Sequence, residues 1–150
     1  MKGEARHRSR EVALQVLFAL DLQARGGADH ESRGPLDPNE VFEDVAAHFE
    51  LPPAAAAFAH ELVVKTIANR DELDRVIGQF ARNWRVDRMA VVDRNVLRLA
   101  AYEIAHTDTA TAVVLDEAVE LARRFGGDPS PSFVNGVLDA LADAVRGGER

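Results

Sequence analysis

Residues 87–106 read DRMAVVDRNVLRLAAYEIAH, and this stretch decides the fold class. Its apolar side chains recur every three or four residues, which is the spacing that places them on one side of an α-helix. They are Met89, Val92, Val96, Leu99, Ala100 and Ile104. The stretch is too long for a strand of ordinary length, so it predicts an amphipathic helix packed against other helices.

The helical period continues on both sides of this stretch. We predict helices over 4–24, from Asp37-Pro38, through Phe58–Ile67, from about Asp71, over 111–125 and from Ser130-Pro131. Their starts carry capping residues and first-turn prolines, and Gly126-Gly127 ends the helix before the last one. No segment alternates apolar and polar residues for long, although Val113–Leu115 is compatible with an extended start. The sequence therefore predicts an all-α fold of about seven helices.

The length favours one globular unit over residues 1–150. Within it we expect a basic arm (residues 1–10), an N-terminal helical bundle over about 11–81 and a C-terminal bundle over about 82–145. The helix from Asp37 should bury Val41, Val45 and Phe49. The glycines and proline of residues 25–37 predict a loop.

The composition argues against an enzyme. The chain has no cysteine, which excludes disulfides, thiolate catalysis and cysteine-bound zinc. Its five histidines show no i, i+4 pair, and no glycine-rich phosphate loop opens a helix. We therefore expect no cofactor and no metal. Because no export signal and no long apolar run is visible, we also expect a cytoplasmic protein without a membrane partner.

The charge pattern points to nucleic acid at one end of the chain. The chain holds 18 Lys and Arg against 25 Asp and Glu, for a net charge of −7. The arm holds four of these cations and one of the acids, so the remainder carries −10. An acidic surface repels nucleic acid, and a contact must form where cations dominate locally. A solvated terminus without a ligand is the alternative interpretation.

The arm should also be accessible. Lys2, Arg6 and Arg10 are spaced four residues apart on one helix face, and we expect these basic turns to project beyond the core. On that expectation, joint replacement of Arg6, Arg8 and Arg10 by alanine removes RNA binding and leaves the melting temperature nearly unchanged.

A second group of cations lies in residues 82–98. It comprises Arg82, Arg85, Arg88, Arg94 and Arg98. These arginines could extend an RNA track, but we favour salt bridges between helices, with Asp93 and Glu103 as acceptors. We likewise favour Trp84 as a packing anchor over Trp84 as a stacking platform.

Several short strings together resemble one family. They are Asn83-Trp84, Val92-Asp93-Arg94, residues 97–103, residues 117–122, Phe125-Gly126 and residues 133–138. With the arginine-rich start, the chain resembles the NusB family of transcription antitermination factors from its first residues to about Leu141. Each string alone would be weak evidence, whereas their combination is specific.

The resemblance implies two small helical bundles and a non-catalytic role in ribosomal RNA transcription. Similar proteins bind boxA, a single-stranded RNA element of the nascent leader, together with NusE, a small-subunit ribosomal protein. The pair joins a complex that helps RNA polymerase resist termination. By this resemblance the nucleic-acid-binding residues are Lys2, Arg6, His7, Arg8 and Arg10 of the arm, with Phe133 and Asn135 of a C-terminal motif near the arm.

Some assignments stay open at this point. Phe133 is placed either to stack on a base or to pack in the core, and the apolar Val137 and Leu138 favour burial. Asn135 could instead bridge helices, and Gly136 could allow close packing. Ser132 stands where relatives carry a basic residue, which removes one expected RNA contact.

An alternative function is a homodimeric protein adaptor with an occluded arm, since similar proteins form dimers. A related helical module also precedes the catalytic domain of some RNA methyltransferases. The 150 residues leave no room for such a domain, so we do not expect one here.

Overall fold

The structure is a computed structural model that describes residues 3–24 and 36–147. Within these ranges the chain forms seven α-helices and no strand, which confirms the predicted all-α fold. The helices are α1 (Gly3–Ala24), α2 (Pro38–Ala46), α3 (Pro53–Ala68), α4 (Arg70–Phe80), α5 (Val91–His106), α6 (Thr111–Phe125) and α7 (Ser130–Arg146). The predicted loop over 25–37 lies largely outside the described residues. None of the described helices is long and apolar enough to cross a membrane.

The first compact unit spans Met1–Val64. Its core is formed by apolar side chains of α1, α2 and α3, with Val12, Ala13 and Val16 of α1 fully buried. Asp37 caps α2 as predicted, because its carboxylate accepts a hydrogen bond from the Asn39 amide at 2.9 Å. The predicted buried face of α2 is wrong, however. Phe42 is the buried residue of that helix, whereas Val41, Val45 and Phe49 are partly exposed.

The second unit spans Lys65–Arg150 and is built around α5. Every residue of α5 from Arg94 to Ile104 is buried, and α4, α6 and α7 all pack on this helix. We expected the second bundle to begin near residue 82, but α4 belongs to it. The reason is that α4 packs on α5 and α7 and buries Leu73 and Ile77.

Two arginines of the predicted second cationic group are structural. Arg98 is buried and donates to Asp74 of α4, from Nε to Oδ1 at 2.6 Å and from Nη2 to Oδ2 at 2.9 Å. Arg94 is buried as well and donates to the Asp87 carbonyl oxygen at 3.3 Å. An ion pair between helices was the favoured interpretation, and Arg98 makes one, but its acceptor Asp74 was not among the predicted acceptors Asp93 and Glu103. Burial removes both arginines from any RNA track.

The predicted starts and ends of the C-terminal helices agree with the structure, with one exception. Ser130 begins α7 and Gly126 follows the last residue of α6, as predicted. Val113–Leu115 lie inside α6, so the extended alternative for them is wrong. The helix predicted from residue 87 is preceded by a 3-10 turn at Val86–Arg88 and begins at Val91.

Gly126 lies where a side chain does not fit. A Cβ atom at this position would lie 2.6 Å from Ser130 Oγ and 2.7 Å from the Ala122 carbonyl oxygen. The carbonyl belongs to the backbone of α6 and cannot move away cheaply. We expect Gly126→Ala to lower the free energy of unfolding by about 1–3 kcal/mol, measured by urea denaturation.

Gly78 provides the matched control, because a Cβ atom there would meet nothing within 4 Å. Since Gly78 lies inside α4, we expect Gly78→Ala to stabilise the protein by about 0.5–1 kcal/mol. Equal effects of the two substitutions would contradict this account of the α6–α7 connection.

Candidate nucleic-acid interface

The cations of the arm form the first turns of α1, which begins at Gly3. Arg6, His7 and Arg8 are partly exposed there, whereas Arg10 is only 2% exposed. The prediction that the basic turns project beyond the core is therefore wrong for Arg10. Lys2 lies outside the described residues. The accessible basic side chains of this end of α1 are Arg6, His7 and Arg8.

The aromatic ring of Phe58 in α3 contacts the guanidinium groups of two of the arginines. The guanidinium carbons of Arg6 and Arg10 lie 5.1 Å and 5.5 Å from the centroid of its ring. Both distances are in the range of cation–π attraction, which the electron-rich face of an aromatic ring provides. The four-residue spacing of the two arginines placed them on one face, but no sequence signal identified Phe58 as their partner.

Two further contacts involve this end of α1, one to α3 and one within the helix itself. The Ser9 hydroxyl oxygen lies 2.9 Å from the carbonyl oxygens of Ala5 and Ala55, so its proton can join α1 to α3. His7 Nε2 lies 2.9 Å from Glu11 Oε1, one helical turn further on. Sequence analysis did not identify Ser9, because a serine among arginines gives no packing signal. The cations are thus held by a docked helix.

Arg6 and Arg8 carry charges that no carboxylate of the described residues compensates. The Nε atoms of both are buried and have no hydrogen-bond partner within residues 3–24 and 36–147. Because an unpaired guanidinium is a strong donor to phosphate oxygens, these two arginines have the chemistry of an anion-binding surface.

The second unit carries the predicted C-terminal motif. Phe133 is partly buried and makes an edge-on contact with Trp84, with ring centroids 5.8 Å apart and planes inclined by 65°. Trp84 is 57% exposed, so the favoured interpretation of Trp84 as a packing anchor is wrong. Asn135 and Gly136 are exposed on α7, and a Cβ atom at Gly136 would meet nothing within 4 Å. Close packing is therefore not the reason for Gly136.

A pocket of about 190 Å³ opens beside the two aromatic rings. Its lining residues are Trp84, Met89, Ala90, Asp93, Pro129 and Phe133. All but Asp93 present apolar or aromatic surface. Asp93 Oδ1 is buried and has no hydrogen-bond partner in the part of the chain that the structure describes. Sequence analysis assigned Met89 to the core and Asp93 to a salt bridge, so it missed both as pocket residues.

These features define a class of protein. The described residues contain no group of three or more His, Cys, Asp or Glu placed to hold a metal ion. The groups with binding chemistry are uncompensated arginines on a docked helix and aromatic rings at the surface. Together these features are typical of a small helical nucleic-acid-binding protein.

The comparisons with known proteins give the family. The model of the NusB family matches residues 7–143. A transcription antitermination protein NusB from Symbiobacterium thermophilum is 41% identical, over 95% of this chain and 92% of its own. One from Anaeromyxobacter dehalogenans is also 41% identical, over 97% of each chain. The chain belongs to the NusB family.

Solved structures agree with this assignment. T. maritima NusB has a TM-score of 0.79 at 31% identity, over 92% of this chain and 90% of that one. A crystal structure of antitermination factors NusB and NusE in complex with dsRNA has a TM-score of 0.81 at 26% identity, over 95% and 99%. The family comprises non-enzymatic transcription antitermination proteins. The predictions of the family and of a non-enzymatic function are therefore confirmed.

Proposed function

We propose that this chain binds a boxA-type single-stranded RNA in the nascent ribosomal RNA leader. In this proposal it acts together with the ribosomal protein NusE and helps RNA polymerase to resist termination in the cytoplasm. The observation that carries the proposal is the pair Arg6 and Arg8, which lies on a docked helix without a compensating carboxylate among the described residues.

Phosphate contacts alone do not select a single strand. Unpaired RNA also exposes the faces of its bases, which stack on aromatic side chains for about 1–3 kcal/mol per base. Trp84 is exposed and is supported from one side by Phe133. The second unit therefore supplies the stacking chemistry that a single-stranded ligand needs, while the first unit supplies the cations.

The seven residues that we assigned to RNA have different roles in this proposal. Arg6, His7 and Arg8 face phosphates, and Lys2 is expected to do the same. Arg10 holds the helix end against Phe58, since its burial leaves it little surface for a ligand. Phe133 packs edge-on against Trp84 and holds the Trp84 ring in position. The exposed amide of Asn135 is available to hydrogen-bond the RNA.

Fluorescence anisotropy with a labelled boxA RNA tests the function. We expect saturable binding to the single strand that becomes tighter when NusE is added. A scrambled strand and a boxA strand annealed to its complement should bind at least tenfold more weakly, because mismatched or paired bases lose contacts of about 1–3 kcal/mol. Gel filtration alongside the titration reports whether a homodimer forms.

Two results would overturn the proposal. One is equal affinity for the boxA strand, the scrambled strand and the duplex, which would indicate unspecific charge attraction. The other is no binding to boxA at moderate salt, with and without NusE.

A further inference from the structure

Phe58 lies at the border of the contact between α1 and α3. Ala55 and Ala59 of α3 are fully buried, and the Ser9 hydroxyl oxygen of α1 lies 2.9 Å from the Ala55 carbonyl oxygen. Phe58 is three residues from Ala55 and therefore on the same side of α3, but it is only partly buried. The small alanines let the two helices approach closely, and the ring at the border reaches the first turns of α1.

The two arginines beside this ring differ in what a ligand can reach. Arg10 is 2% exposed, and its guanidinium carbon lies 5.5 Å from the ring centroid. Arg6 is partly exposed, and its guanidinium carbon lies over the ring at 5.1 Å. One side of the Phe58 ring is thus occupied by a buried cation, and the same ring also contacts a cation that is open to a ligand.

The ring holds Arg6 without neutralising it. A carboxylate would pair with the guanidinium and occupy its donors, as Asp74 does for Arg98. An aromatic face attracts the cation through its quadrupole and carries no net charge. Arg6 Nε is buried and has no hydrogen-bond partner within the described ranges, so Nη1 and Nη2 are the donors left for a phosphate. The contact with Phe58 therefore directs the side chain and keeps its charge for a ligand.

We propose that Phe58 is a positioning residue for RNA binding, whose ring directs the Nη1 and Nη2 groups of Arg6 toward a phosphate of the bound strand. Phe58 itself does not touch the RNA. The inference rests on the proposed RNA binding and adds to it the residue that orients one phosphate contact. Arg8 is independent of this ring, because it lies about 200° around α1 from Arg6 and contacts no aromatic ring among the described residues.

A double-mutant cycle on the affinity for boxA RNA tests this role. Phe58→Leu keeps an apolar side chain at the helix border and removes the aromatic face. We expect Phe58→Leu alone to weaken binding about fourfold, and Arg6→Ala alone about fivefold. In the Arg6→Ala background, Phe58→Leu should weaken binding by less than about 1.5-fold, because the ring then has no guanidinium to direct.

Arg8→Ala provides the matched background. It removes a neighbouring cation of the same helix that the Phe58 ring does not contact. In this background Phe58→Leu should weaken binding by the full factor of about four, since distant and independent contacts add. Circular dichroism melting establishes that each variant is folded.

Fluorinated phenylalanines at position 58 separate attraction for the cation from apolar packing, and they serve if Phe58→Leu does not fold. Each added fluorine weakens the negative potential of the ring face and changes the ring size little. We expect the affinity for the boxA strand to fall stepwise from phenylalanine through its monofluoro, difluoro and trifluoro forms. Phe58→Tyr keeps an electron-rich ring and should bind within about twofold of the unsubstituted protein.

The outcomes distinguish this proposal from the proposed function. If the boxA strand binds specifically but neither Phe58→Leu nor the fluorinated series weakens binding, Phe58 does not position Arg6 and the proposed function stands. If Phe58→Leu has equal effects in the Arg6→Ala and Arg8→Ala backgrounds, it does not act through Arg6 and the positioning role is overturned. If the unsubstituted protein binds no boxA RNA in any assay, both proposals are overturned.

Discussion

Replacement of Arg6 and Arg8 together by alanine should weaken binding of boxA RNA about 30-fold at moderate salt. The estimate assigns about 1 kcal/mol to each charge-assisted phosphate contact, or about 2 kcal/mol in total. The slope of log Kobs against log salt should also fall in magnitude by about 1.4, from about 0.7 for each phosphate on a single strand. Anisotropy titrations at several salt concentrations measure both quantities.

The matched control is the Arg75→Ala, Arg123→Ala double variant. Both residues are exposed, and the substitution removes the same charge. We expect the affinity of this control to change by less than about threefold, because exposed charges that make no contact with the RNA are largely screened by salt. Equal losses in the two variants would mean that net charge, and not the end of α1, governs binding. Arg10 is left in place because it is buried, so its replacement is expected to destabilise the protein and to obscure an effect on RNA binding.

Arg146→Ala should produce the largest loss of stability, about 2–4 kcal/mol, with a fall in melting temperature of about 10 °C. All five N–H donors of this guanidinium are used within 3.1 Å. The acceptors are the carbonyl oxygens of Glu103, Ile104, Thr107 and Thr109 and the hydroxyl of Thr111. The side chain thus joins α7 to the end of α5 and the start of α6, where helix carbonyls lack partners within the helix.

The comparison for Arg146 is Arg123→Ala, which breaks an exposed pair with Glu120 at 2.6 Å. An exposed pair of this type contributes about 0–1 kcal/mol. Thermal melting and urea denaturation should therefore separate the two variants clearly. Arg146→Lys should recover less than half of the loss, since an ammonium cannot reproduce the planar arrangement of five donors. Similar stabilities for Arg146→Ala and Arg123→Ala would contradict the role assigned to Arg146.

The helices were predictable because their signals are local. The three- and four-residue period of α5, the Asp37-Pro38 start of α2 and the Ser130-Pro131 start of α7 depend on neighbours within a few residues. The concentration of basic side chains in the first turns of α1 was predictable for the same reason. Local spacing and local charge density are properties of the sequence itself.

The errors concern contacts between residues far apart in the chain. Residue type alone predicts Arg10 at the surface and Trp84 in the core, and the structure shows the reverse. Arg10 is buried beside Phe58, 48 positions away, and Arg98 is paired with Asp74, 24 positions away. Neither partner can be chosen from spacing, since it depends on how the helices pack.

The docking of the first turns of α1 on α3 has a consequence for binding thermodynamics. A free basic tail loses conformational entropy when RNA orders it, and that loss weakens the complex. Here the Phe58 contact and the Ser9 hydroxyl bond hold Arg6 in place before any ligand arrives. This conformational entropy is therefore lost when the protein folds and not when RNA binds. The RNA should then dissociate more slowly from these preorganised cations than from a flexible tail of equal charge.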